Sequence, residues 1–171
     1  MKTTLTFILL IAATLCFSQS KQDKINKAAD FMSSNMIKQA DTAFAQLNRE
    51  YPGDSLVLRA EAITYWKYGR VKDNVKLLDH SLKQFKALES KYPGNAEFNL
   101  FIATANTKKC DVSYFSHKTP EIEKKALLSE YKSLKADIEK YSAQLDPLKH
   151  GVVSIAKQDL SNIQNRIEQL K

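Results

Sequence analysis

The chain has 171 residues, a net charge of +7, four glycines, four prolines and two cysteines. One of the cysteines, Cys16, falls in an N-terminal apolar run, so Cys110 alone remains for the folded part and an internal disulfide framework is excluded. A chain this long can bury a core without such staples, and its basic balance admits anionic surfaces or acidic proteins as partners.

The first eighteen residues carry Lys2, an apolar run from Leu5 to Leu15, and then Cys16-Phe17-Ser18. That layout is a cleavable export signal, with cleavage expected after Ser18. The run is shorter than the roughly 20 apolar residues a membrane span requires. Two alternatives stay open: a lipid anchor on Cys16, although Leu15 stands where a lipobox has Gly or Ala, and a retained membrane anchor. Export makes nucleic acid an unexpected partner. The lysines also alternate with Glu and Asp, as they do on solvated helix faces.

Beyond the leader, no stretch has the period-two alternation of a sheet, and the Gly and Pro residues punctuate helical patterns. The fold expected is all-α. A first helix spans 21–33 and a second 37–49, the latter with Ala40, Phe44 and Leu47 on one face. The phrase Glu50-Tyr51-Pro52-Gly53-Asp54 follows, and Lys91-Tyr92-Pro93-Gly94-Asn95 repeats it 41 residues later. Each stops one helix and caps the next: Pro is disfavoured in a helix interior, Gly accepts the left-handed turn, and Asp or Asn supplies a capping oxygen. Between the phrases lie a third helix, 55–68, ended by Gly69, and a long fourth one, 71–91, with Leu78, Ser81 or Leu82, Phe85 and Leu88 as its buried stripe.

A fifth helix covers 96 to about 108, and residues 110–119 read as a connector containing Tyr114 and Phe115. Two further helices, 120–144 and 147–171, carry heptad-like seams: Leu127, Tyr131, Leu134, Ile138, Tyr141 and Leu145, then Val153, Ala156, Leu160, Ile163, Ile167 and Leu170. They form an antiparallel hairpin joined at Asp146-Pro147. It either caps the repeats or offers an interface, and capping is preferred because a repeat stack must cover its terminal apolar face.

Residues 21–109 resemble tetratricopeptide repeats, helix-turn-helix units of 34 residues. Ala28, Phe31, Asn35, Ala40, Phe44, Leu47 and Pro52 match one unit of that length. Ala62, Tyr65 and the turn Gly69-Arg70-Val71 open a second, whose closing Ser81, Phe85, Leu88 and Pro93 arrive seven residues late. Seven residues add about 10.5 Å of helix, two turns, which nearly restore the same face. The expectation is one lengthened helix, 71–91. A third first-helix is traceable from Ala96 through Ala103, after which the pattern is lost.

The resemblance implies stacked hairpins that bind a peptide or protein in a groove, with Arg59, Ile63, Trp66, Thr104 and Lys108 on its lining as the candidate partner-binding residues. Trp and Arg are enriched at binding hot spots. Chemistry is thinly represented: His80, His117 and His150 lie in separate segments without metal-ligand spacing, and no phosphate loop or nucleophile motif is present. No cofactor, metal or catalytic residue is expected. The reading is an exported, periplasmic or secreted, non-catalytic protein-protein interaction scaffold of the bacterial envelope. Its alternative is a binder of anionic lipid or glycan through basic helices.

Overall fold

The computed structural model describes residues 20–116 and 121–171; the expected export signal, residues 1–18, residues 117–119 of the expected connector and Pro120, the expected start of the next helix, lie outside the described residues. Among the described residues the protein is all-α, with seven helices and no strand: α1 (Lys21–Ser33), α2 (Ile37–Glu50), α3 (Ser55–Val71), α4 (Val75–Lys91), α5 (Ala96–Ser116), α6 (Glu121–Ser142) and α7 (Val152–Gln169). The chain divides into two compact units, Met1–Pro52 and Gly53–Lys171.

In the first unit, Ser20 and Asp23 form a reciprocal capping box that starts α1, the Ser20 hydroxyl accepting from the Asp23 amide at 3.1 Å and Asp23 accepting from the Ser20 amide at 3.2 Å. The apolar spacing then decides what is buried: Ile25, Ala28 and Met32 on α1, and Ala40, Phe44 and Leu47 on α2, each set three or four residues apart. Asn35 ends α1 in the left-handed conformation, φ 59°. The amides of Asn35 and Met36 reach back to the carbonyls of Met32 and Phe31 at 2.9 and 2.8 Å, the pair of bonds that defines a Schellman turn.

The second hairpin, α3–α4, reuses these devices. Asp73 is left-handed at φ 51°, and the Asn74 amide donates to the Gly69 carbonyl at 2.9 Å, as Met36 does to Phe31. The Tyr-Pro-Gly phrases also behave alike. Tyr51 and Tyr92 share φ −131° with ψ 68° and 70°, Gly53 and Gly94 have φ 70° and 78°, and the Asp54 and Asn95 side chains accept from amides of the following first turn. Near-identical backbones from near-identical residues make the recurrence a conformational one.

The lengthening is distributed differently from the expectation. The fourth helix is Val75–Lys91, 17 residues, and α3 is also 17, against 13 for α1 and 14 for α2. About one turn has been added to each arm, so the arms stay matched and the hairpin closes at both ends. Gly69 does not end α3. It lies inside the helix, where a Cβ would stand 2.8 Å from Leu78 Cγ and 2.9 Å from the Leu78 backbone nitrogen. Its function is close approach of α3 and α4, and Asp73 supplies the turn.

Helix α5 occupies the centre of the second unit, packed against α3, α4, α6 and α7. Phe98, Leu100, Phe101, Ala103, Thr104, Ala105, Thr107 and Cys110 are buried on nearly every side of it, as expected for a helix with neighbours all round. It runs on to Ser116, so residues 110–116 of the expected connector are helical. Long-range partners hold that last stretch: the Tyr131 hydroxyl donates to Asp111 at 2.9 Å, and the Arg166 guanidinium lies 5.2 Å from the Tyr114 ring centre. The seams of α6 and α7 face the same core through Tyr131, Leu134, Ile138, Val153, Ala156, Ile163 and Ile167. Helix α7 starts five residues later than expected, because Asp146 organises a turn instead: its carboxylate accepts from the Leu148 amide at 2.9 Å, and its carbonyl accepts from the Lys149 and His150 amides.

Candidate functional site

Of the five residues expected to line a groove on α3 and α5, Trp66, Thr104 and Ile63 pack into a closed seam, while Arg59 and Lys108 are held in separate ion pairs. Trp66 is 7% exposed and Thr104 fully buried. The Trp66 indole N–H donates to the Thr104 hydroxyl at 3.1 Å, and that hydroxyl donates to the Phe101 carbonyl at 3.0 Å. The indole meets the Phe101 ring edge-on at 4.9 Å, and Phe101 stacks on Phe85 at 4.7 Å. Ile63 packs half-buried on the same cluster. Trp66 and Thr104 are therefore core residues: their polar atoms are satisfied within the chain, which is the usual condition for burying them.

The residue that closes the seam belongs to α7. Asp159, 2% exposed, accepts from Arg70 at 2.7 and 3.0 Å, while Arg70 also donates to the Thr104 carbonyl at 2.7 Å and lies 5.3 Å from the Trp66 ring centre. Burial pushes the Asp159 carboxyl up and Arg70 draws it back down; the balance lies above the ordinary carboxylate range. One guanidinium thus ties α3, α5 and α7 together. Neither Arg70 nor Asp159 was expected to matter: one reads as a turn residue, the other as a polar position beside Leu160. Their pairing spans 89 residues and leaves no local signal.

The two half-buried charged candidates are also engaged. Arg59 grips Glu97 with Nη2 and Nε at 2.7 and 3.3 Å, and the His150 Nδ1 lies 3.3 Å from the same carboxylate. Burial works to raise the Glu97 carboxyl, but the hydrogen bonds and charge of Arg59, backed by His150, outweigh it and hold the group below the ordinary range. Lys108 pairs with Asp73 at 2.5 Å. His80, which lacks metal-ligand spacing on the sequence, has its Nε2 2.7 Å from the buried Glu61 carboxylate and stacks on Tyr65 at 4.0 Å. Cys110 is buried and reduced, its thiol raised by burial and by Glu130 beside it. His117 lies outside the described residues. Among the described residues, no three His, Cys, Asp or Glu side chains converge as a metal site would require.

The first unit carries an open surface. A groove of about 520 Å³ runs along α1 and α2, with Phe31, Ala43 and Leu47 as its apolar part, Gln39, Thr42 and Gln46 along one wall, and Lys24, Lys27, Lys38 and Glu50 around it. On α2 the lining recurs at 38–39, 42–43, 46–47 and 50, one face over the full helix, about 18 Å at 1.5 Å per residue. Lys24 and Glu50 meet at one end at 2.5 Å, where Gln46 also donates to Glu50 at 2.8 Å. The Lys27 ammonium lies 5.9 Å from the Phe31 ring centre. On the sequence these α2 residues read as a solvated face, which hides the groove. No protein-family model matches the chain, and no solved structure matches it either.

Proposed function

We propose that the chain is a non-catalytic interaction scaffold of the bacterial envelope, exported to the periplasm or beyond, and built from tetratricopeptide-like helical hairpins that hold a peptide or a segment of a partner protein. The observation that carries this reading is the groove along α1 and α2, which combines half-buried aromatic surface with polar side chains presented in a row. Extended partner segments are recognised in this way, by apolar anchors between polar contacts. The recurrence of turn dihedrals at Asn35 and Asp73, and at Gly53 and Gly94, supports repeat character. The pattern of residues 1–18 supports export.

The partner surface is assigned to α1 and α2 because the α3–α5 seam is filled by Trp66, Thr104 and Arg70 with Asp159 of α7. Immobilised mature chain, Gln19–Lys171, is exposed to envelope extract beside an unrelated helical protein of equal charge. A protein retained by the wild type and by Arg59→Ala, but released by Phe31→Ser, is the expected result. Retention of nothing beyond the charge-matched control removes the proposal.

A further inference from the structure

The charges around the α1–α2 groove say what kind of segment it takes. Lys24, Lys27 and Lys38 stand against one carboxylate, Glu50, around an apolar strip of Phe31, Ala43 and Leu47. Resting on the scaffold reading above, we infer that the groove binds an acidic peptide segment of a partner protein, one with aliphatic or aromatic anchors flanked by carboxylates. A second copy of this chain fits poorly, since each copy carries a net charge of +7, or +6 without Lys2 of the expected leader. Charge complementarity of this kind steers encounter and selects partners.

The geometry gives the segment a length and an entry step. About 18 Å of groove matches about twelve residues of helix, or five to six of extended chain. The lysines contact carboxylates at its rim, and the anchors cover the half-buried Phe31 and Ala43. Lys24 is already paired with Glu50, and that pairing raises the Lys24 ammonium and lowers the Glu50 carboxyl. An incoming carboxylate therefore exchanges with Glu50 for Lys24. Glu50 acts as an internal competitor, so removing its charge should tighten binding.

Lys38 separates binding from folding. It lies in the first turn of α2, where a carboxylate is favoured by the helix dipole, so Lys38→Glu keeps the hairpin intact while reversing the rim charge. The probe is a synthetic amphipathic peptide of about twelve residues with leucines at helical spacing and glutamates elsewhere, compared with a counterpart in which lysines replace the glutamates. Titrated into isotope-labelled full chain and followed by amide shifts, the acidic peptide is expected to move Lys27, Phe31, Thr42 and Gln46, and the lysine peptide to leave them in place. Lys38→Glu should weaken binding about two- to fivefold and Glu50→Gln strengthen it by a similar factor, the range for one exposed charge pair.

Equal shifts from both peptides, no shift, or weaker binding by Glu50→Gln overturns the inference. So does a response of the same residues to phosphatidylglycerol vesicles without one to the acidic peptide, which would reassign the lysines to a lipid surface. An envelope partner still retained by Lys27→Glu/Lys38→Glu would overturn the acidic-segment inference and leave the scaffold reading standing. Loss of every partner from the wild type would remove both.

Discussion

Replacing Gly69 with alanine sets two effects of known size against each other. Inside a helix, glycine costs about 1 kcal/mol relative to alanine, so on helix propensity alone Gly69→Ala stabilises α3 by about that amount. The packing opposes it: the new Cβ would stand 2.8 and 2.9 Å from Leu78 Cγ and Cδ2 and 2.9 Å from the Leu78 backbone nitrogen. Ordinary carbon contacts lie at about 3.5–4.0 Å, so an overlap of roughly 0.6 Å or more must be relieved. The leucine branch can rotate, but its backbone nitrogen moves only if α4 moves. That motion is resisted by the Asn74 bond to the Gly69 carbonyl and by the Ser81 hydroxyl bonded to the Ala62 carbonyl at 2.9 Å. Overpacking of this kind costs about 1–3 kcal/mol, so the net expectation is a loss of about 1 kcal/mol. In a domain of this size that is a fall in Tm of about 2–4 °C. Urea denaturation of the variant, with Lys67→Ala on the exposed side of α3 as a control, reads the difference. A gain in stability of about 1 kcal/mol would refute the close-approach account and return Gly69 to an ordinary helix position.

Three further outcomes follow from the seam between α3, α5 and α7. Trp66→Ala should cost about 3–5 kcal/mol of stability, as for a buried aromatic, because it empties the space beside Phe101 and removes the donor to Thr104; a variant of near wild-type urea midpoint contradicts this. Asp159→Leu alone should cost about 3–5 kcal/mol by leaving the Arg70 guanidinium unpaired, and adding Arg70→Met should recover most of the loss. Additive losses in that double-mutant cycle would show the pair to be uncoupled. Glu97→Gln should destabilise at neutral pH and matter less in acid. The native carboxyl lies below its ordinary range, so its stabilisation is present above about pH 4.3 and is lost as pH falls through the native value. A gap between variant and wild type that stays constant from pH 7 to about pH 3 would contradict that sign.

What could be read from the sequence was what local chemistry dictates. Asn35, Gly53 and Gly94 sit where the backbone turns left-handed, and Asp54 and Asn95 cap the helices that follow. The burial stripes were legible for the same reason: Ala40, Phe44 and Leu47, then Leu78, Phe85 and Leu88, repeat at the helical period. Gly69 shows where this ends. A glycine near a helix end looks like a stop, whereas its reason here is a neighbour nine residues on, and Asp73 takes the left-handed position instead. The last two turns of α5 were missed because the repeat pattern is lost at Cys110 and the partners of residues 110–116, Tyr131 and Arg166, come from distant helices.

The site was least legible. Trp66 and Thr104 were read as groove lining, and nothing on α3 or α5 indicates that they bond to each other or that Arg70 beside them is held by an aspartate of α7. The groove on α1 and α2 was hidden for the opposite reason. Its walls are Lys, Gln and Thr, residues that any solvated helix face displays, and Phe31 of α1 joins those of α2 only in the folded hairpin.

Photo-crosslinking separates the two surfaces directly. A photoreactive residue at Thr42, in the groove, or at Arg59, beside the closed seam, is introduced into the chain from Gln19 to Lys171, which is then irradiated in bacterial envelope extract. The account predicts a discrete adduct from position 42 that acidic peptide suppresses, and none from position 59. An adduct from position 59 with none from position 42 would contradict it.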